Sequence, residues 1–194
     1  MGIVPDIRQL LNASQLEYFK HTPDVTYICD SDLRLLACNP AWTRFALANG
    51  GREIPDRWGP GSSLTDAMSG WPRAYYRKQY IQALATGEVF RQEYECSSPG
   101  EERHFLQVAY PLERGRGLLI TNSLVREESP ESAGDAGGQY VDHRGLIVQC
   151  SHCGRVAWPE VEGSWGWAPT LAGRTDSRIS HSFCPWCLEH YHPA

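Results

Sequence analysis

The spacing of apolar residues changes several times along this chain, and each change marks an element. In SQLEYFKH (14–21) apolar residues recur at helical spacing, with Ser14 as N-cap and Glu17 as its capping-box partner. VTYIC (25–29) and LRLLAC (33–38) are apolar and partly β-branched. The acidic turn Asp30-Ser31-Asp32 joins them, which predicts a hairpin. Asn39-Pro40 has the residues of a helix start. Trp42, Phe45, Ala46 and Asn49 then fall on one helical face, and Gly50-Gly51 stop it.

Glycines and prolines make 51–63 a loop, and 64–86 reads as two helices interrupted at Trp71-Pro72, the second carrying Tyr76, Tyr80 and Leu84. Three strands follow. EVFRQEYEC (88–96) alternates Phe90, Tyr94 and Cys96 with a wet face of Arg91, Glu93 and Glu95. In RHFLQVAYPL (103–112) Leu106, Val108 and Tyr110 share the dry face, and by the same parity His104 turns inward as a core histidine. GLLITNSLV (117–125) is nearly continuous apolar, as an inner strand is. Periodicity then disappears into Glu, Ser, Ala and Gly, so 128–139 is a linker between a domain at 12–127 and a cysteine-rich segment at 140–194.

Composition narrows the classes. An apolar fraction of 41% with 21% charged residues is that of a globular chain. The net charge is −5, and neither part carries the basic stripe that phosphate backbones require, which argues against direct nucleic-acid binding. No run approaches a membrane span, and the N-terminus resembles neither a secretory leader nor a myristoylation signal. A cytoplasmic location with no membrane partner is the expectation. Seven cysteines in a reducing compartment do not form a disulfide framework. Cys29, Cys38 and Cys96 lie in apolar strands and read as inert core residues.

The remaining four cysteines carry the chemistry. Cys150-Ser-His-Cys153 and Cys184-Pro-Trp-Cys187 are two CxxC pairs 30 residues apart, and two such tight turns can complete a tetrahedron of thiolates around one ion. Gly154 permits the positive φ that closes the first turn. Zinc is the leading ion, with an iron–sulfur cluster and a dithiol switch as the other readings. Four protein ligands leave no open position, so the role is structural. His152 and His181 either replace a thiolate or hydrogen-bond to one. Trp158, Trp165, Trp167 and Trp186 supply the core of this segment, which the metal helps to fold.

DVTYICDSDLRLLACNPAWTRFA (24–46), with the element order around it, resembles the opening of a PAS domain, and the resemblance extends over about 12–127. It implies an α+β fold, a PAS-like five-stranded antiparallel sheet with helices on one face, to which the zinc-ribbon-like tail is appended. The family implies a sensory module in which a small molecule binds between sheet and helices, or in which the domain pairs with a second copy through a flanking helix or the sheet. An oxygen-sensing haem histidine has no counterpart, because no histidine lies between His21 and His104. A flavin-reactive cysteine has none either, because 39–86 contains no cysteine. Trp42, Phe45, Trp71, Tyr76, Tyr94 and His104 are the candidate pocket residues, with core filling as the alternative.

The tail resembles a cysteine-rich segment found after PAS or receiver domains in some bacterial signalling proteins, on Cys150, Cys153, Trp165, Ser180, His181, Cys184, Pro185 and Cys187. With no Ser/His/Asp grouping, phosphate loop or open metal site, the expectation is a non-enzymatic signalling homodimer that acts on a separate output protein. A redox or gas sensor built on an iron–sulfur cluster or haem is the alternative.

Overall fold

The computed structural model describes residues 7–68, 70–97, 101–128, 136–168, 171 and 178–191. By internal contacts the chain divides into two units, the first made of 1–94 with 105–124 and the second of 95–104 with 125–194. The boundary differs from a linker at 128–139: the segment joining two strands of the large sheet, 95–104, groups with the tail. Residues 129–135 lie outside the described residues.

Helix α1 (Ala13–His21) begins earlier than the sequence suggests. Asn12, not Ser14, is the N-cap, and Gln15 completes the capping box with reciprocal 2.9 Å bonds. An amide has the same reach as the Ser/Glu pair, so the pattern offers two starts and packing selects one. Strands β1 (Val25–Asp30) and β2 (Leu35–Cys38) form the expected hairpin. Its turn is held by Asp30, whose carboxylate accepts from Asp32 N–H at 2.9 Å and Arg34 N–H at 2.8 Å, with Leu33 at φ 60°.

Helices α2 (Pro40–Ala48), α3 (Ile54–Arg57) and α4 (Gly70–Thr86) follow. The break expected at Trp71-Pro72 does not occur there. A short 3-10 turn (Leu64–Ala67) precedes α4, and Pro72 sits in the first turn of α4, where its missing N–H costs no intrahelical bond. Strands β3 (Phe90–Glu95), β4 (Glu102–Leu112) and β5 (Gly117–Glu128) complete an antiparallel sheet of order β2-β1-β5-β4-β3. Chain-distant β1 and β5 are neighbours, in register from Val25 opposite Asn122 to Asp30 opposite Gly117.

That register separates two faces. Tyr27, Cys29, Leu118 and Ile120 turn toward α2–α4; Tyr27 meets Trp42 edge to face at 5.5 Å. Ile28 and Leu119 turn the other way and pack with Leu10, Leu11, Phe19, Leu36 and Leu112. Helices therefore cover both faces: α1 and the turn before it shield the side the sequence reading left open, because that side too is apolar.

Polar groups thread the α2–α4 face. The fully buried Tyr80 hydroxyl donates to Gln107 Oε1 at 2.6 Å, and Gln107 Nε2 donates to Asn122 Oδ1 at 2.9 Å. Asn122 Oδ1 also accepts from Tyr94 at 3.0 Å. Burial pushes the Tyr80 phenol well above its usual range. Tyr80→Phe leaves Gln107 Oε1 without this donor inside an apolar layer and is expected to cost about 1–3 kcal/mol. A urea melt that overlays the wild type would contradict the network's contribution.

The second unit has its own sheet of order β8-β7-β6-β9, with β6 (Ile147–Cys150), β7 (Val156–Ala157), β8 (Trp165–Gly166) and β9 (Ile179–Ser182), followed by α5 (Pro185–Tyr191). The β6–β7 and β7–β8 pairs are antiparallel, but β6 and β9 run parallel. The zinc-ribbon-like expectation is amended on this point. Its core is Tyr140, Ile147, Val156, Ala168 and Leu171, with Val141 and Ile179 against it. The tryptophans do not fill it: Trp158 and Trp186 are exposed, and Trp165 and Trp167 are half-buried. One tyrosine and small aliphatic side chains occupy it instead, with Trp158 meeting the Tyr140 ring edge to face at 5.2 Å.

Candidate metal centre

The parallel pairing of β6 with β9 is what assembles the site. In register, Cys150 lies opposite Ser182, so both strands deliver their following residues to the same end. Cys150 ends β6 and starts the first CxxC turn; two residues beyond β9, Cys184 starts the second and heads α5. One potential ligand atom from each of Cys150, Cys153, Cys184 and Cys187 lies within 4.8 Å of the others. The Cys153 and Cys184 sulfurs are 3.7 Å apart. Thiolates held about 2.3 Å from one tetrahedral ion lie about 3.8 Å from each other. All four are free thiols.

Backbone N–H groups face the sulfurs. Cys184 N–H donates to Cys150 Sγ and Cys187 N–H to Cys184 Sγ, each at 3.4 Å, from the N-terminal end of α5, where the helix dipole favours negative charge. The first turn closes through Gly154 N–H to Cys150 O at 3.1 Å and Cys150 N–H to Arg155 O at 2.7 Å. Gly154 has φ 78°, and a Cβ there would stand 3.2 Å from the Trp167 ring. The positive φ favours glycine, and the ring leaves a Cβ little room.

The electrostatics ask for a cation. Thiol hydrogen bonds, from Cys153 foremost, hold Cys150 far below the usual thiol range, while the contact with Cys150 pushes Cys187 far above it. Ionising all four needs positive charge among them, which a divalent ion supplies. The donor set and spacing fit such an ion, with Cys150, Cys153, Cys184 and Cys187 as its holders. His181 is exposed on β9 and His152 half-buried in the first turn.

The remaining predicted residues belong to the first unit, apart from His104. Trp42 meets Tyr27, Phe45 meets Phe105 edge to face at 5.7 Å, Tyr76 joins Tyr75, Tyr80 and Phe90, and Tyr94 stacks on Phe105 at 5.7 Å. Trp71 lies in the first turn of α4, its side chain outside the described residues. His104 is corrected. The α2–α4 face of β4 carries Phe105, Gln107 and Ala109, so His104 has the opposite parity, and its Nε2 lies 3.2 Å from Glu102 Oε1.

Cys29 is buried, with burial raising its thiol to about 12, and Cys38 is half-buried, but Cys96 is exposed, contrary to its expected place in the core.

Glu95 is the other departure. Expected on a wet face, its side chain is 1% exposed and pairs with Arg155 Nη1 at 2.5 Å; Arg155 Nη2 also donates to Glu102 Oε1 at 2.9 Å. Burial raises the Glu95 carboxyl and Arg155 opposes it. Sequence reading missed this cluster because alternation cannot register a partner so distant in the chain. It also missed the polar members of the sensor interior, although Gln92 shares the parity of Phe90 and Tyr94 and signalled a polar group on the dry face.

A five-stranded antiparallel sheet closed by helices, with a polar network in its interior, defines a sensor-type α+β module. The PAS fold family matches residues 19–129, and the chain belongs to it. The cysteine segment lies outside that match. The PAS domain of BvgS from Bordetella pertussis shares 19% identity with a TM-score of 0.43, covering 60% of this chain and 89% of that one. A domain of an HTR-like protein from Haloarcula marismortui shares 18% at 0.40, covering 54% and 100%. The phage VqmA–DPO complex shares 20% at 0.42, covering 58% and 51%. Among curated proteins, an uncharacterised 104.1 kDa protein in the hypE 3′ region of Rhodobacter capsulatus is 30% identical over 124 residues. The match takes in 55% of this chain and 13% of that protein. No helix among the described residues is long and apolar enough to cross a membrane.

Proposed function

We propose that this chain is a non-enzymatic signalling module of the bacterial cytoplasm, in which the PAS domain binds a small molecule or pairs with a second copy, and a structural zinc site of four cysteines folds the tail. A separate protein carries the output. The observation behind the zinc reading is the close gathering of four sulfurs: all lie within 4.8 Å of one another and a spacing of 3.7 Å suits one ion, whereas a multi-iron cluster places iron and sulfide atoms between the thiolates and spreads them further. Zinc is favoured because it prefers closed thiolate tetrahedra, and four protein ligands leave no position for a reacting water.

A bound small molecule is supported by two buried donors with no partner among the described residues, Trp42 Nε1 and Gln92 Nε2. Buried donors are nearly always satisfied, so a ligand carrying acceptor groups fits the first unit's aromatic interior. Metal analysis with native mass spectrometry tests the whole reading. One zinc per colourless chain, with a small-molecule adduct or a dimer, is expected. Iron with visible absorption, or a bare metal-free monomer, would overturn it.

A further inference from the structure

Arg155 belongs both to the closure of the first CxxC turn and to the buried carboxylates of 95–104. Its carbonyl accepts from Cys150 N–H at 2.7 Å, so the turn that aims Cys150 and Cys153 also fixes the Arg155 backbone. Gln149 Nε2 donates to Gly154 O at 3.2 Å and braces the same turn. From that anchor the guanidinium reaches Glu95, whose side chain is 1% exposed, and Glu102 Oε1 at 2.9 Å. His104 Nε2 closes the set on Glu102 at 3.2 Å. All of these residues lie in the second unit. The 95–104 segment is closed by Cys96 N–H donating to Arg103 O at 3.0 Å and Arg103 N–H to Ser97 Oγ at 3.1 Å. Strands β3 and β4 run directly into it.

A carboxylate so deeply buried needs its counter-charge, because removing one partner of a buried pair strands the other. Opening the first CxxC turn moves the anchor from which Arg155 reaches Glu95. We infer that Arg155 is a positioning residue that couples metal occupancy to the order of the β3–β4 connection, so that loss of the ion releases the strand ends that enter the PAS sheet. The inference rests on the metal reading above. By linkage the coupling is reciprocal: whatever the ion contributes to the connection, the connection contributes to ion affinity.

The test compares zinc-loaded wild type with zinc-loaded Arg155→Met and Glu95→Gln, the second serving if the first fails to fold. Hydrogen exchange is read at the Cys96 amide and at β6, and zinc affinity by competition with a chromophoric chelator. In either variant the Cys96 amide is expected to exchange about tenfold faster while β6 stays protected and one zinc remains bound, with zinc affinity about tenfold weaker. Stripping zinc accelerates Cys96 exchange in the wild type and leaves it unchanged in Arg155→Met. Zinc-loaded variants that exchange and bind like the wild type overturn the coupling alone. A wild-type chain that takes up no zinc overturns the metal reading together with it.

Discussion

Chelation of the metal is expected to unfold the cysteine-rich tail of the second unit while the sheet of the first unit persists. Five buried residues, Tyr140, Ile147, Val156, Ala168 and Leu171, form the described core cluster of that unit, and modules with so little apolar burial need a staple. Structural zinc contributes about 10–16 kcal/mol of apparent binding energy in small metal-folded domains, and that energy is folding energy because the site does not exist in the unfolded chain. Here the ligands come from two turns brought to one end by parallel strands, so the ion ties together segments that are far apart in the chain.

A metal chelator, or Cys187→Ser, should therefore release the half-buried Trp165 and Trp167 to water, read as a red shift in tryptophan emission. It should also abolish protection of the β6 and β9 amides. The amides of β1 and β5 should remain protected, because their pairing and both packed faces lie in the first unit. Retention of the β6–β9 pairing after complete metal removal would refute this account.

Asn39→Ala is expected to destabilise the PAS domain by about 3 kcal/mol, more than an ordinary N-cap deletion, because it removes buried strand bonds together with the cap. An exposed cap contributes about 1 kcal/mol by satisfying a free N–H at the helix start. Asn39 does this for Trp42 N–H at 3.0 Å, yet it is 1% exposed and holds one group of β1 and one of the residue before it as well. Its Oδ1 accepts from Thr26 N–H at 3.1 Å and its Nδ2 donates to Asp24 O at 2.8 Å. Truncation leaves buried backbone groups without partners at the junction of β1 and α2, each costing about 1–3 kcal/mol. Chemical denaturation followed by far-ultraviolet circular dichroism measures the loss. Asn39→Asp, which keeps the acceptor and removes the donor, should fall between. A loss in Asn39→Ala no larger than about 1 kcal/mol, that of a plain cap, would show that the strand bonds contribute nothing.

Much of this was legible in one dimension. Asn39-Pro40 specifies a helix start because one side chain supplies an acceptor and the next residue has no N–H to satisfy, and both effects act within one helical turn. The Asp30 turn and the positive φ at Gly154 are local in the same way. What failed was the assignment of faces. His104 and Phe105 are both plausible interior residues of an alternating strand, and only the pairing of β4 with β5 decides which one meets Tyr94 and Phe45. A one-residue ambiguity in parity inverts every side chain on the strand.

The sequence by itself determined the hairpin, the helix start at Asn39, the strand-rich second half of the domain and the four thiols with their spacing. Those depend on steric and hydrogen-bonding preferences acting over a few residues. Tertiary structure alone decided that α1 covers the second face of the sheet and that β6 and β9 run parallel so that two CxxC turns meet. It also decided that Glu95 is buried against Arg155. Each of these is set by burial of groups far apart in the chain, and the free energy of such burial depends on which surfaces meet, a quantity that no local pattern contains.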